Sequence, residues 1–213
     1  MMRKVRRYHG VEELRAEYDA RRGAIRARLA DFAAVKPDQY FFELVYCLLT
    51  PQSSAVNAGK AVALLQERGI SADCEELALV LHQKEFYVRF HNTKARHILA
   101  AQEKFPDIMQ LLDGDQDAAT LREWLVLNVK GLGWKEASHF LRNIGRRDLA
   151  ILDRHILRNL KRHHVIRSLP KSLTKKRYNA IEQQFVRFAG AIGISMDELD
   201  LLFWSRETGE ILK

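Results

Sequence analysis

An all-α fold is what this chain predicts, on three observations. Apolar residues recur at three- and four-residue spacing through nearly every segment, and strand-like alternation is scarce. Cap-type residues, glycines and prolines divide the 213 residues into about ten such segments. A hydrophobic fraction of 47% supports a folded core at this length and argues against disorder.

Residues 11–35 read as one long, charged helix burying Leu14, Tyr18, Ile25, Leu29 and Phe32. Asp38 is placed to cap a second helix through Leu49, whose stretch 41–49 is apolar enough for a core element, and Pro51 stops it. Residues 54–68 form the next helix, closed by Gly69. Residues 73–82 and 93–105 follow, the latter capped by Asn92 or Thr93. Pro106 opens a short helix over 107–112, which Gly114 ends. Residues 118–128 and 135–144 form a helical pair joined by a turn. Asp153 begins another helix, and a basic connector, residues 161–177 with Pro170 inside, leads on. Two closing helices span 175–192 and 196–207. There is no internal repeat and no low-complexity tract.

The net charge of +8 suits a partner rich in phosphate. Cys47 and Cys74 are the only cysteines, which suggests a reducing compartment and leaves no ligand set for a four-cysteine iron–sulfur cluster. His163 and His164 lack a third and fourth ligand at metal spacing, so the basic connector reads as solvated. The first seven residues are basic without an apolar run behind them, so no signal peptide is expected, and no stretch is long enough to span a bilayer. A cytoplasmic protein is the expectation.

The chemistry concentrates in the turn of the helical pair. Gly131 and Gly133 allow strained dihedrals and close approach, and their amides beside a helix N-terminus suit phosphate oxygens. Lys135 opens the second helix and Asp153 follows eighteen residues later. Taken alone, Lys135 is a solvated first-turn lysine and Asp153 an N-cap.

Together, the strings Gly131-Leu132-Gly133-Trp134-Lys135-Glu136-Ala137-Ser138-His139-Phe140-Leu141-Arg142-Asn143-Ile144-Gly145 and Asp153-Arg154-His155-Ile156-Leu157 resemble the helix-hairpin-helix DNA glycosylases, and within them the archaeal-type 8-oxoguanine DNA glycosylase/AP lyase branch, which also occurs in bacteria. The resemblance runs from about Phe41 to Lys213.

It implies two helical lobes with an active-site cleft between them: lobe A over about 36–152, a helical barrel with its hairpin at 127–145, and lobe B over about 1–35 plus 153–213. It implies that Lys135 is the amine nucleophile, forming a Schiff base at the sugar, and that Asp153 is the carboxylate stabilising the charge that develops. An amine attacks only when neutral, against an ordinary value of about 10.4, so the chemistry requires help from the helix dipole and from desolvation. The partner is then double-stranded DNA carrying oxidised guanine, with no organic cofactor, and a monomer suffices. The resemblance also allows a structural monovalent cation on the hairpin carbonyls.

Backbone phosphates fall to the turn amides of Gly131 and Gly133, helped by Lys130, Lys94 and Arg96. The extruded base falls to Gln52 and Ser53, to Phe90 and Trp204 as an aromatic sandwich, and to the chain-terminal Lys213. Core packing is the plain alternative for Phe90 and Trp204, and a simple turn for Gln52. Two rivals stand beside this reading: a pyrimidine-lesion glycosylase/lyase using the same lysine and aspartate, and a non-catalytic helix-hairpin-helix module. The absent cluster cysteines count against the first, and the spacing of Asp153 from a hairpin lysine against the second.

Overall fold

The computed structural model describes residues 8–211, which among them form ten α-helices and no strand. The basic stretch at residues 1–7 and Lys213 lie outside the described residues. By contact, the chain divides into two compact units, one over Ala34–Arg146 and the other containing the residues up to Ala33 together with those from Arg147 onward.

The unit over Ala34–Arg146 is organised on α2 (Tyr40–Leu49), which packs against α3 (Ala55–Arg68), α5 (His91–Leu112) and α7 (Trp134–Asn143). Every residue of α2 from Glu43 to Leu49 is buried, as an apolar run from Leu44 to Leu49 requires of a central helix. Between α3 and α5, α4 (Cys74–Leu81) starts at Asp73, whose carboxylate accepts from the Glu75 and Glu76 amides. The first hairpin helix, α6 (Ala118–Asn128), starts at Asp117, which accepts from the Thr120 amide, and it packs on α7.

Three expectations are corrected here. Asp38 does not cap α2: Pro37–Gln39 form a single 3₁₀ turn, and the Tyr40 amide donates to the Pro37 carbonyl, so the helix needs no side-chain cap. Pro106 does not open a helix but lies inside α5. Pro106 and Gln102, whose carbonyl loses its usual donor, both lie on the exposed side of the helix, where solvent can replace that donor, while Ala101, Ile108 and Leu112 keep one buried face. Neither Asn92 nor Thr93 caps α5. The cap position is Phe90, in the left-handed conformation at φ 61°, ψ 33°.

The other unit is built on α10 (Met196–Thr208), which packs against α1 (Val11–Ala33), α8 (Arg154–Arg162) and α9 (Lys175–Ile192). α1 buries Leu14, Tyr18, Ile25, Leu29 and Phe32, the stripe expected from its periodicity. α10 opens with a capping box: Ser195 accepts from the Glu198 amide while Glu198 accepts from Ser195. Leu199, Leu201, Leu202 and Phe203 are buried, and so are Asp197, Glu198 and Asp200.

Candidate active site

In the Ala34–Arg146 unit, α6 and α7 are joined by a turn tightened by the Leu132 amide donating to the Val129 carbonyl at 3.2 Å. Leu132 is buried while Gly131 and Gly133 are exposed, so the turn is pinned from inside and presents its backbone outward. Gly131 has φ +93°, and a Cβ there would stand 2.5 Å from His97 Nδ1 and 3.0 Å from Leu48 Cδ2. The backbone thus lies directly on His97 and leaves no room for a side chain. Gly133 differs. It is the N-cap of α7 at φ −90°, ψ −177°, with no side chain to cap the first-turn amides. Such a bare helix start is suited to an anion.

Lys135 lies in that first turn with its side chain 28% exposed, and its amine is 3.3 Å from Glu136 Oε1. Glu136 is not among the site residues expected from the sequence. Arg122, 3% exposed, braces the hairpin: its guanidinium lies 4.8 Å from the Trp134 ring centroid and donates to Ser138 Oγ at 3.2 Å. Lys130 and Arg96 are exposed, as a phosphate contact requires.

Lys94 does not face a phosphate, which corrects that expectation. It is 5% exposed, and its ammonium donates to the Leu49 carbonyl at 2.6 Å, the Pro51 carbonyl at 2.8 Å and Ser53 Oγ at 3.0 Å. With three acceptors taken inside the protein, the ammonium is a tether for the loop after α2. Burial and the charge of Lys135 lower it to about 8.

That tether explains where Gln52 and Ser53 stand. Ser53 Oγ also accepts from the Arg89 amide at 3.0 Å, joining the loop to the segment before α5. Gln52 is exposed at φ 54°, and Phe90 is 48% exposed at φ 61° with the Arg89 guanidinium 4.8 Å from its ring centroid. Core packing is therefore not the role of Phe90. Two non-glycine residues held at positive φ on neighbouring exposed segments are a strain that packing alone does not call for.

In the other unit, Asp153 is the N-cap of α8. Its Oδ1 accepts from the His155 and Ile156 amides at 2.8 Å each, and its Oδ2 accepts from Trp204 Nε1 at 3.1 Å. Trp204 is thus fixed beside the carboxylate through its indole N–H. His155 stacks edge-on to Trp204 at 5.9 Å and lies 3.3 Å from Glu207. Among the described residues no group of three or more His, Cys, Asp and Glu side chains could hold a metal, and no helix is long and apolar enough to cross a membrane.

Residues 25–194 match the family described as 8-oxoguanine DNA glycosylase. An 8-oxoguanine DNA glycosylase/AP lyase from Fusobacterium nucleatum is 43% identical over 179 residues, covering 80% of this chain and 81% of that protein. Its counterpart from Methanocaldococcus jannaschii is 35% identical over 189 residues, covering 87% and 90%. The solved 8-oxoguanine DNA glycosylase of Thermotoga maritima superposes with a TM-score of 0.85 at 35% identity, over 95% of this chain and 98% of that one. The Methanocaldococcus jannaschii 8-oxoguanine glycosylase/lyase, solved in complex with a 15mer DNA containing 8-oxoguanine, superposes with a TM-score of 0.87 at 31% identity, over 95% and 99%.

Proposed function

The chain belongs to the 8-oxoguanine DNA glycosylase family, and on that footing we propose that Lys135 and Asp153 carry its chemistry. The protein is a bifunctional DNA repair enzyme that removes 8-oxoguanine from double-stranded DNA and nicks the strand at the abasic site. The observation carrying the residue assignment is the position of Lys135, one residue into α7 behind a glycine turn with an uncapped helix start. That arrangement puts an amine beside backbone donors for phosphate.

The neutral Lys135 amine donates its electron pair to C1′ of the deoxyribose, and the N-glycosidic bond breaks with its pair leaving on the base. Loss of a proton from the amine and opening of the sugar give a Schiff base. Removal of a C2′ proton then breaks the C3′–O bond, which nicks the strand by β-elimination. Asp153 is the charge that steadies the sugar as the base departs. The reaction uses the chain's own amine as its covalent group and is read as cofactor-free.

Gln52, Ser53 and Phe90 are the proposed base contacts of the unit over Ala34–Arg146. Trp204 is the proposed contact on α10, and Lys213 at the chain end completes the set. Backbone contacts fall to Gly131, Gly133, Lys130 and Arg96. A single copy of the chain suffices for all of these roles, and the reading places the enzyme with the chromosome in the cytoplasm.

Duplexes carrying 8-oxoguanine, a pyrimidine lesion or an abasic site test the reading. Base release and a β-elimination product on the first are expected. Preferential release of the pyrimidine would favour that rival. Cleavage of the abasic duplex alone would reduce the protein to a lyase, and binding without cleavage would make it a DNA-tethering module.

A further inference from the structure

One short segment carries nearly the whole net charge of this chain. Seven Lys and Arg residues and no acidic residue fall between Lys161 and Arg177, against a net charge of +8 for all 213 residues. Outside this segment the chain is close to neutral. The hairpin therefore does not account for the basic character of the protein, and the connector between α8 and α9 does.

All seven of these side chains are exposed. Lys161, Arg162, Arg167, Lys171, Lys176 and Arg177 enter no ion pair with a carboxylate among the described residues. The C-terminal end of the segment also breaks a helix rule. Thr174 caps α9 through the Arg177 amide, and the first turn behind it carries Lys176 and Arg177, neither paired with a carboxylate among the described residues. Cations at the positive end of a helix dipole oppose the fold. A local choice that costs stability, with no compensating carboxylate in the segment, points to a partner that supplies the negative charge. Arg167, Lys171 and Arg177 also line an open cavity of about 1210 Å³.

The chemistry selects the partner. The segment contains no Phe, Tyr or Trp, and the ring of its exposed His164 is already stacked on His9 at 5.1 Å, so it offers no free aromatic platform for the bases of a single strand. Leu169, 45% exposed, is the segment's one large exposed apolar side chain, too little for insertion into a lipid surface. What remains is recognition of regularly spaced phosphates. We propose that the 161–177 connector is a second backbone-binding surface for duplex DNA, separate from the glycine hairpin and indifferent to sequence. This proposal rests on the reading of the protein as a DNA repair enzyme.

The test is the salt dependence of binding to an undamaged duplex, measured by fluorescence anisotropy on the full chain. The variant Arg167→Gln/Lys171→Gln/Lys176→Gln is compared with Lys36→Gln/Lys60→Gln/Arg187→Gln, which removes the same charge from exposed sites elsewhere. Each lost phosphate contact removes about 0.9 from the slope of log K against log salt, so the connector variant is expected to flatten by about 2 to 3 and to bind at least about tenfold more weakly at low salt. The control is expected to keep the wild-type slope. An unchanged slope in the connector variant, or equal flattening in both, would overturn the proposal. Circular dichroism on both variants reads folding. Base release by the wild-type chain on the 8-oxoguanine duplex reads the underlying activity separately, so failure of the one is not mistaken for failure of the other.

Discussion

Trp204 donates its indole N–H to Asp153 Oδ2 at 3.1 Å while the other oxygen of the same carboxylate caps α8. Both oxygens of Asp153 are therefore acceptors, and an asparagine has only one. Asp153→Asn must either lose the cap or set an amide N–H against the indole N–H. We predict that this substitution lowers stability by roughly 1–2 kcal/mol besides abolishing chemistry, since a lost cap or an opposed donor costs about that much. Adding Trp204→Phe removes the opposed donor. Thermal unfolding of the double variant should recover part of the lost stability while single-turnover base release stays absent. Recovery of base release would assign Asp153 a purely structural role.

The two hairpin glycines should respond differently to alanine. At Gly131, φ is +93° and the added Cβ would lie 2.5 Å from the His97 ring. A loss of roughly 1–3 kcal/mol, together with lost DNA affinity, is expected there. At Gly133 the new Cβ meets only the Glu136 carboxylate, at 2.9 Å, on a side chain that can swing away. Its cost should stay within about 1 kcal/mol. Equal losses in chemical denaturation would show that the packing of His97 on the turn is not what forces glycine.

Lys94 gives a pH signature. Burial first, and the charge of Lys135 second, lower its ammonium from 10.5 to about 8. Between those two values the unfolded chain holds a proton that the folded chain has released, so this group makes stability rise with pH across that window. Lys135→Gln removes the second cause and should move the Lys94 midpoint upward. An NMR titration of the lysine ε-carbons measures it, and an identical midpoint in both proteins would contradict the coupling.

Glu198 governs the acid side. Burial alone would raise its carboxyl, but hydrogen bonds from Tyr18, Arg26 and Ser195 outweigh it and hold the group at about 2 instead of 4.5. The Tyr18 hydroxyl donates at 2.6 Å and Arg26 Nε at 3.0 Å, the latter from a mostly exposed side chain whose share is small. A depressed carboxylate stabilises the fold above pH 4.5, and that contribution fades as pH falls toward about 2. Glu198→Gln should cost roughly 1.5–3 kcal/mol at neutral pH and flatten the acid limb of the melting-temperature profile. An unchanged acid limb would rule out this network as its cause.

Helix starts expected near residues 54, 73, 118, 153, 175 and 196 fall within one residue of those observed, where Ser54, Asp73, Asp117, Asp153, Thr174 and Ser195 reach their own first-turn amides. The same rule misplaced a cap at Asp38 and at Asn92 or Thr93, where a 3₁₀ turn and a left-handed Phe90 start the helices instead. The stripe of α1 followed from periodicity alone. What failed depended on the third dimension. Pro106 reads as a boundary until one knows that Gln102 faces water. Lys94 reads as a surface cation until the three acceptors around it are visible, because they come from residues more than forty positions earlier. The strained φ of Gln52 and Phe90 had no sequence signal, since neither is a residue type that favours it. Glu136 had one, its place beside Lys135 in a first helical turn.

The decisive measurement is reductive trapping of the full chain on a duplex containing 8-oxoguanine, followed by proteolysis and mass spectrometry of the cross-linked peptide. A deoxyribose remnant on the ε-amine of Lys135, absent when Lys135→Gln is treated in the same way, is the predicted result. A remnant on any other amine, or base release undiminished in Lys135→Gln, would contradict the assignment of Lys135 as nucleophile.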